Sequence, residues 1–462
     1  MSEQEAAAYA QYVALRDSEA THTIILKNQL EDLFNAVDRK ISEKPDIKKE
    51  DEKFNNQSES NIFEKFINNF SESMKSAYHL INIQVFSRSF LKTVYIEEKF
   101  FRYADKELDP ITTRGDFQIF GVRRDNVYEL QKSMREYDRL SDGADTLPSA
   151  VIMAMVALFD THFSSLAKGL IKAYPKAAGL EDKTIDVSLI LKAASIDELH
   201  QSIIDERIHS LMRGSHDEQI SFIERFGRKI RDAEDYPLFL EIFERRNLAA
   251  HGEGRANKHY CDKCAEYRVP TERALKLGEK IDLSPKYLNE SVDTLYQFGF
   301  LTSWWLWTKL DPQNMQPAYE TAVHTSYDLL IENRFNVAEK IISSVLIHDS
   351  KNLFEVERRM LCINRAIALK SLDDDQWNVE VKRFGWDAVD ARFKVAFLAL
   401  NEDCDAVCAL MPQLTDDDLI GEDGFRNWPV FKWVRRREGY QKAFFETFGS
   451  QLREKDEGQK DD

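Results

Sequence analysis

Apolar residues recur at spacings of three and four along most of this 462-residue chain, the period of an α-helix buried on one face. Glycine and proline, with 17 and 11 occurrences, rarely interrupt the pattern. The segment 151–174 is apolar almost all round, which predicts a helix buried on every side. We therefore predict an all-α protein.

Changes in composition along the first two thirds of the chain indicate two regions. Residues 1–145 are predicted to form an N-terminal helical region, with a polar, charged linker at 42–60. Asp145, Thr146 and Pro148 have the capping groups and first-turn proline of a helix start. We place the start of a second, all-helical domain at this point and assign it residues 146–312.

The last third of the chain has a different pattern. Two pairs of apolar segments with short turns, within 319–346 and 393–411, predict antiparallel helix pairs. The pairs indicate a tetratricopeptide-like helical-repeat array over residues 318–450, although their period is irregular. The charged residues 453–462 are predicted to be a disordered tail.

Charge and cysteine content limit the class of protein. A net charge of −17 argues against a protein that coats nucleic acid through bulk electrostatics, because such proteins are normally basic. Five cysteines, an odd number, fit a reducing compartment. The first five residues lack a signal-peptide pattern, and the apolar runs are shorter than the roughly 20 residues of a membrane span. We predict a cytoplasmic protein with no membrane contact.

The segment 240–252 contains the residues that point to chemistry. It predicts a helix that ends at Gly252, and its last turns contain Arg246, Asn247 and His251. Arg246 can bind phosphate with two parallel hydrogen bonds, and a histidine can move protons near neutral pH. These are the groups needed to cut RNA without a metal, by attack of the 2′-hydroxyl on the adjacent phosphorus.

Arg246-Asn247-Leu248-Ala249-Ala250-His251 resembles the R-N-x-x-x-H signature of HEPN-domain endoribonucleases. The looser pattern of Arg, four to six residues, then His is expected about twice by chance, whereas the form with Asn is expected about 0.03 times. The glycine-rich exit that continues through Asn257 to Tyr260 also resembles bacterial members of the family. The resemblance covers roughly residues 150–310.

Helical geometry places a constraint on the site. Asn247 and His251 are four residues apart and share a face, so Asn247 can orient the imidazole. Arg246 and His251 lie about 140° apart around an ideal helix, so one helix does not form a tight pair. A second copy facing the first across a two-fold axis would pool two arginines and two histidines, and the resemblance implies the same homodimeric site.

The resemblance also implies a function. A HEPN-type endoribonuclease uses no metal and no cofactor, and leaves a 2′,3′-cyclic phosphate and a 5′-hydroxyl. Arg246 would stabilise the phosphate, His251 would transfer protons and Asn247 would position it. The family context implies a toxin or anti-phage defence effector, with the flanking regions sensing a trigger or protein partner.

Further basic residues near the motif are candidates for binding the RNA backbone. Arg245, Arg255 and Lys258 lie closest in sequence, and Arg225, Arg228, Lys229 and Arg231 precede the helix. A mixed, solvated surface is the alternative. The basic run 432–437 is predicted to be a solvated face.

Several other residues leave alternatives open. Cys261 and Cys264, with His259 and His251 nearby, have zinc-like spacing, but a structural site needs four ligands. Asp160 and His162 can reach the motif or lie buried beside a structural partner. Trp304, Trp305 and Trp307 can stack on bases or form core. A non-catalytic interaction protein that binds a partner through its helical repeats is the alternative to the nuclease.

Overall fold

The computed structural model describes residues 61–91, 108–114, 117–122 and 127–452, with gaps at 177, 180–189, 191–193, 228, 252–253, 314, 349–354, 383–384, 387–388 and 417–419. The predictions for residues 1–60 and for the tail 453–462 lie outside the described residues. The chain divides into two compact units. One comprises Met1–Ser60 and Ser89–Ser141, and the other comprises Asn61–Arg88 and Asp142–Asp462.

The described residues are predominantly helical, which confirms the helical character that the sequence predicted. In chain order the helices before the C-terminal region are α1 Ile62–Leu91, α2 Val127–Ala173, α3 Ile196–Arg213, α4 His216–Glu224, α5 Tyr236–His251, α6 Lys258–Tyr267 and α7 Pro285–Leu310. Those of the C-terminal region are α8 Met315–Ile331, α9 Phe335–His348, α10 Glu355–Ser371, α11 Gln376–Lys382, α12 Ala391–Leu400, α13 Cys404–Leu410, α14 Gly421–Asn427 and α15 Glu438–Phe448. Short 3₁₀ turns lie at Ile230–Asp232, Met411–Leu414 and Pro429–Phe431.

The smaller unit contains a β-hairpin that an all-α prediction did not include. Strands β1 (Leu108–Arg114) and β2 (Phe117–Val122) pair antiparallel, with an irregularity between Pro110 and Thr112. The β-branched residues of β1 favour extended backbone, which is the physical reason for the departure.

Helix α1 belongs largely to the larger unit, although the sequence placed it in an N-terminal region of residues 1–145. Its apolar face, including Phe70 and Met74, is buried in the main core. The Tyr78 hydroxyl donates to Asp293 of α7 at 2.7 Å. Apolar burial therefore joins α1 to helices more than 200 residues away in sequence.

Helix α2 continues through Pro148, so the predicted helix start at 145–148 is wrong. The polar residues there lie within the helix, and the Thr146 hydroxyl donates to the Gly143 carbonyl at 2.7 Å. The part Met134–Ala173 has the length and apolar composition of a membrane span, and half of its most apolar window is buried within the protein. Core helices share these properties, so the absence of membrane contact stays a prediction.

The C-terminal helices form three consecutive hairpins with the same turn. The pairs α8–α9 and α12–α13 agree with the predicted helix pairs, and α10–α11 adds one between them. Each turn has one non-glycine residue in the left-handed region, at Asn333, Asp373 and Glu402, with φ of 58°, 56° and 62°. These helices share the core of the larger unit with α7, from which the Trp304 indole donates to the Ala318 carbonyl at 2.8 Å.

Candidate functional site

Helix α5 is held by aromatic packing along the face that it buries. Phe239 and Phe243 contact each other edge to face at 5.0 Å, and both lie against Phe159 of α2 at 5.3 and 5.7 Å. Each of the three rings is at most 3% exposed. This packing fixes the rotation of α5 and therefore decides which of its polar side chains reach solvent.

A buried charged network lies on the same helix. Glu241 is fully buried and accepts hydrogen bonds from Arg245 at 2.6 Å, Tyr260 at 2.7 Å and Tyr287 at 2.9 Å. Burial, followed by the charge of Glu241, raises the pKa of both tyrosines above their ordinary value, so both remain neutral donors. The Arg273 guanidinium lies 4.3 Å from the centre of the Tyr287 ring. The network joins α5, α6 and α7.

Arg245 is committed to this network, and the prediction that it binds RNA is therefore wrong for this fold. Its side chain is 2% exposed. Besides Glu241, it donates to the carbonyls of Asp282 at 3.0 Å and Arg273 at 2.8 Å, and it lies over the Tyr287 ring at 4.1 Å. Releasing it to bind phosphate would remove the closest cation of the buried Glu241, whose other cation, Arg273, lies at 3.9 Å.

The glycine-rich exit after α5 has a structural role that the sequence did not predict. Gly254, with φ of 65°, begins a short antiparallel pairing in which Arg255 lies opposite Lys280. The Asn257 side chain accepts from the backbone of Tyr260 at 2.9 Å and caps α6. Tyr260 then reaches back to Glu241. Asn257 and Tyr260, part of the resemblance to the HEPN family, thus anchor the exit to α5.

The three motif residues lie on the outer side of the end of α5. Asn247 and His251 are exposed, and Arg246 is half-buried, with 26% of its side chain exposed. Within the described chain, no hydrogen bond joins either Arg246 or Asn247 to His251. The role of Asn247 in orienting His251 therefore stays a prediction, and a single helix does not bring Arg246 and His251 together.

The structure instead brings Arg246 close to one residue of another helix, which in turn contacts a histidine of a third helix. Nη2 of Arg246 lies 3.9 Å from Asp160 of α2, one of the two residues that the sequence offered as able to reach the motif. The other oxygen of Asp160 lies 2.9 Å from Nε2 of His216, the first residue of α4. Sequence reasoning missed His216 because it lies thirty positions before the motif on a separate helix. The Ser215–Glu218 capping box at the start of α4 is a local signal that would indicate only where that helix begins.

His162 and the tryptophans have structural positions. His162 is buried, stacks on Phe70 at 4.1 Å and shares a hydrogen bond of 3.0 Å with Ser303, and burial lowers its pKa to about 4. Trp304 and Trp307 are fully buried and Trp305 is 9% exposed. The structure therefore supports a structural role for His162 and core packing, not base stacking, for the three tryptophans.

The cysteine pair does not form a metal centre in the part of the chain that the structure describes, where no three His, Cys, Asp or Glu side chains are placed to share an ion. Cys264 lies in a small apolar cluster with Leu248 and Tyr260, and burial raises the pKa of its thiol to about 11. The Cys261 thiol points to the Leu275 carbonyl at 3.8 Å. Both cysteines therefore have packing roles in the segment that follows α5.

The other basic candidates differ in availability. Lys258 is exposed, and Arg255 is exposed with one guanidinium nitrogen bonded to the Gly278 carbonyl at 2.9 Å. Arg231 is held by Asp217 and Glu224 at 2.9 and 3.4 Å. In the run 432–437, Lys432 lies 4.9 Å from the Phe335 ring. The start of that run is therefore partly packed, whereas Arg436 and Arg437 at its end are exposed as predicted.

No family model, curated protein or solved structure matches the chain. The assignment of a function therefore depends on the residues and their geometry.

Proposed function

We propose that the chain is a metal-independent endoribonuclease of the HEPN type, with a catalytic centre composed of two copies of the chain. The observation that supports it is the division of polar residues on α5. Glu241 and Arg245 are buried and bond to each other. Arg246 is partly exposed, and Asn247 and His251 are exposed, at the C-terminal end of the helix. Under this proposal, residues 146–312 supply a HEPN-like bundle around that end.

The proposed chemistry needs no metal ion. The 2′-hydroxyl of RNA attacks the adjacent phosphorus, its proton leaves to a base, and the bond to the 5′-oxygen breaks as that oxygen receives a proton. Arg246 stabilises the additional charge on the phosphate, and His251 transfers a proton. Two copies would place the His251 of each chain within reach of the Arg246 of the other, while Arg255 and Lys258 bind the RNA backbone.

The direct test incubates total cellular RNA with the purified protein in EDTA. Wild type is expected to produce fragments with 5′-hydroxyl ends, and Arg246→Ala and His251→Ala are each expected to lose at least about 100-fold of the rate. His209→Ala, which removes an exposed histidine of α3, is the matched control and should cleave as wild type does. Equal cleavage by all variants, or cleavage by none, would contradict the proposal.

Mixing the two inactive variants tests the composite centre. Arg246→Ala and His251→Ala chains that exchange subunits form mixed dimers with one intact arginine and one intact histidine facing each other, so cleavage should return. A chain that is monomeric in solution, or mixed dimers that stay inactive, would count against a composite centre.

A non-catalytic interaction protein is the second candidate. The three hairpins of α8 to α13 share one turn geometry, which supports the proposal of a tetratricopeptide-like array that binds a partner. In the nuclease proposal this array senses a trigger for a cytoplasmic toxin or anti-phage effector. Retention of partner binding by a chain that never cleaves RNA would favour the interaction protein.

A further inference from the structure

Asp160 lies between a histidine and an arginine in the larger unit. One carboxylate oxygen is 2.9 Å from Nε2 of His216 and the other is 3.9 Å from Nη2 of Arg246. The three side chains are 29%, 16% and 26% exposed, so the cluster is sheltered and still reaches solvent. They come from α2, α4 and α5, and the histidine is outside the motif that indicated the site.

The contact with Asp160 determines which nitrogen of His216 carries a proton. An ionised carboxylate only accepts hydrogen bonds, so Nε2 must donate. In the neutral ring the lone pair for accepting a proton is then on Nδ1. No contact among the described residues uses Nδ1 of His216. A carboxylate that fixes the tautomer of a histidine in this way prepares it to act as a base.

The orientation of His216 is fixed by packing as well as by Asp160. Its ring stacks on Phe243 with centroids 3.5 Å apart and planes 12° apart. Phe243 is itself 2% exposed within the aromatic cluster of α5. A proton-transfer group that is already oriented loses little freedom when substrate binds, which favours catalysis.

Arg246 keeps donors for a ligand. Its distance of 3.9 Å from Asp160 is too long for a hydrogen bond, so this partly exposed side chain has donors that no described residue engages, although its Nε is buried. A phosphate that binds this guanidinium would satisfy donors that the protein leaves unused. Asp160 contacts both side chains, so the proposal places a phosphate bound to Arg246 beside His216.

We propose that His216 is a second catalytic histidine, the base that accepts the proton of the attacking 2′-hydroxyl; this inference rests on the proposed function. Nδ1 takes that proton as the 2′-oxygen forms its bond to phosphorus. His251 gives a proton to the 5′-oxygen as the bond from phosphorus to that oxygen breaks. The products are a 2′,3′-cyclic phosphate and a 5′-hydroxyl, and the two histidines end with exchanged protonation. Asp160 is the positioning residue.

A purely structural role is the competing explanation, because the same cluster ties three helices together. His216→Gln separates the two roles, since the amide nitrogen of glutamine can still donate to Asp160 but glutamine cannot accept a proton as imidazole does. We expect kcat to fall about 10²- to 10⁴-fold with little change in KM and an unchanged melting temperature. His209→Gln, an exposed histidine of α3, is the matched control.

Chemical rescue provides the decisive measurement if His216→Gln is unstable. In His216→Ala, added imidazole should restore cleavage in proportion to the concentration of its neutral form, which a structural role would not produce. If wild type cleaves RNA and Arg246→Ala does not, then wild-type rates in His216→Gln, or no rescue of His216→Ala, overturn the role of His216 alone. No cleavage by wild type overturns the proposed function and this inference together.

Discussion

Arg245 donates to Glu241 at 2.6 Å from one turn along the same helix, and neither side chain is more than 2% exposed. Tyr260 and Tyr287 supply the other hydrogen bonds to the carboxylate. Arg245 also donates to two backbone carbonyls, and burial of both charges is tolerated because these hydrogen bonds replace those of water. This pair holds α5 in the rotation that leaves Arg246 at the surface.

Removing one partner of the pair should destabilise the protein strongly. Arg245→Met removes the closest cation of the buried carboxylate and leaves only Arg273 at 3.9 Å, so we expect the free energy of unfolding to fall by about 3–5 kcal/mol in urea titrations. Lys263→Met, which removes an exposed ion pair with Glu266 on α6, should change it by less than about 1 kcal/mol. The double variant Glu241→Leu with Arg245→Met should recover part of the loss. An equal loss of unfolding free energy in Arg245→Met and Lys263→Met would contradict a special role of the buried ion pair.

His162 predicts how stability changes with pH. Its folded pKa of about 4 lies below its ordinary value of 6.5, so the unfolded chain binds the additional proton between those values. Its contribution is present above about pH 6.5 and is lost as the pH falls towards 4, a change of roughly 3 kcal/mol. His162→Gln should flatten the curve of unfolding free energy against pH in this window. The exposed His209→Gln should not, and the same slope in both variants would refute the prediction.

The sequence predicted the helices and the motif because both depend on local patterns. The short turns predicted within 319–346 and 393–411 are those between α8 and α9 and between α12 and α13. The sequence could not predict which of Arg245 and Arg246 is buried. Adjacent residues on a helix point about 100° apart, and α5 has apolar residues on several sides. Only its packing against Phe159 shows which arginine is buried.

Long-range contacts account for the other residues that sequence reasoning missed. His216 and Asp160 lie 56 positions apart, and nothing in the spacing of either relates it to Arg246. Tyr287 lies 46 positions from the carboxylate that it contacts. The continuity of α2 through Pro148 departed from local expectation because surrounding structure can override the preference of one residue, whereas the hairpin of β1 and β2 follows the local propensity of its β-branched residues.

The Phe70 ring lies directly against Gly299 of α7 and leaves no room for a side chain there. A β-carbon added there would overlap the Phe70 ring, which also stacks on His162. We expect Gly299→Ala to lower the free energy of unfolding by about 1–3 kcal/mol. Gly143→Ala, inside α2 where a β-carbon meets nothing within 4 Å, should instead raise it by about 0.5–1 kcal/mol. Thermal unfolding of the two variants gives the comparison, and stabilisation by Gly299→Ala would contradict the close approach.

Asn333 determines the turn between α8 and α9. It has φ of 58°, its N–H donates to the Leu330 carbonyl at 3.2 Å, and the N–H of Arg334 donates to the Leu329 carbonyl at 2.8 Å. These two bonds are the helix-ending motif that glycine favours. Asn333→Gly should therefore preserve or slightly raise the free energy of unfolding, whereas Asn333→Val should lower it by about 1–2 kcal/mol.

The equivalent turn of the next hairpin provides the control for Asn333. Asp373, with φ of 56°, has the same pair of bonds, from its own N–H to Lys370 and from Asp374 to Leu369. If left-handed backbone is the cause, valine at either position destabilises and glycine does not. A loss with glycine equal to that with valine would show that the side chain of Asn333, and not its backbone conformation, stabilises the turn.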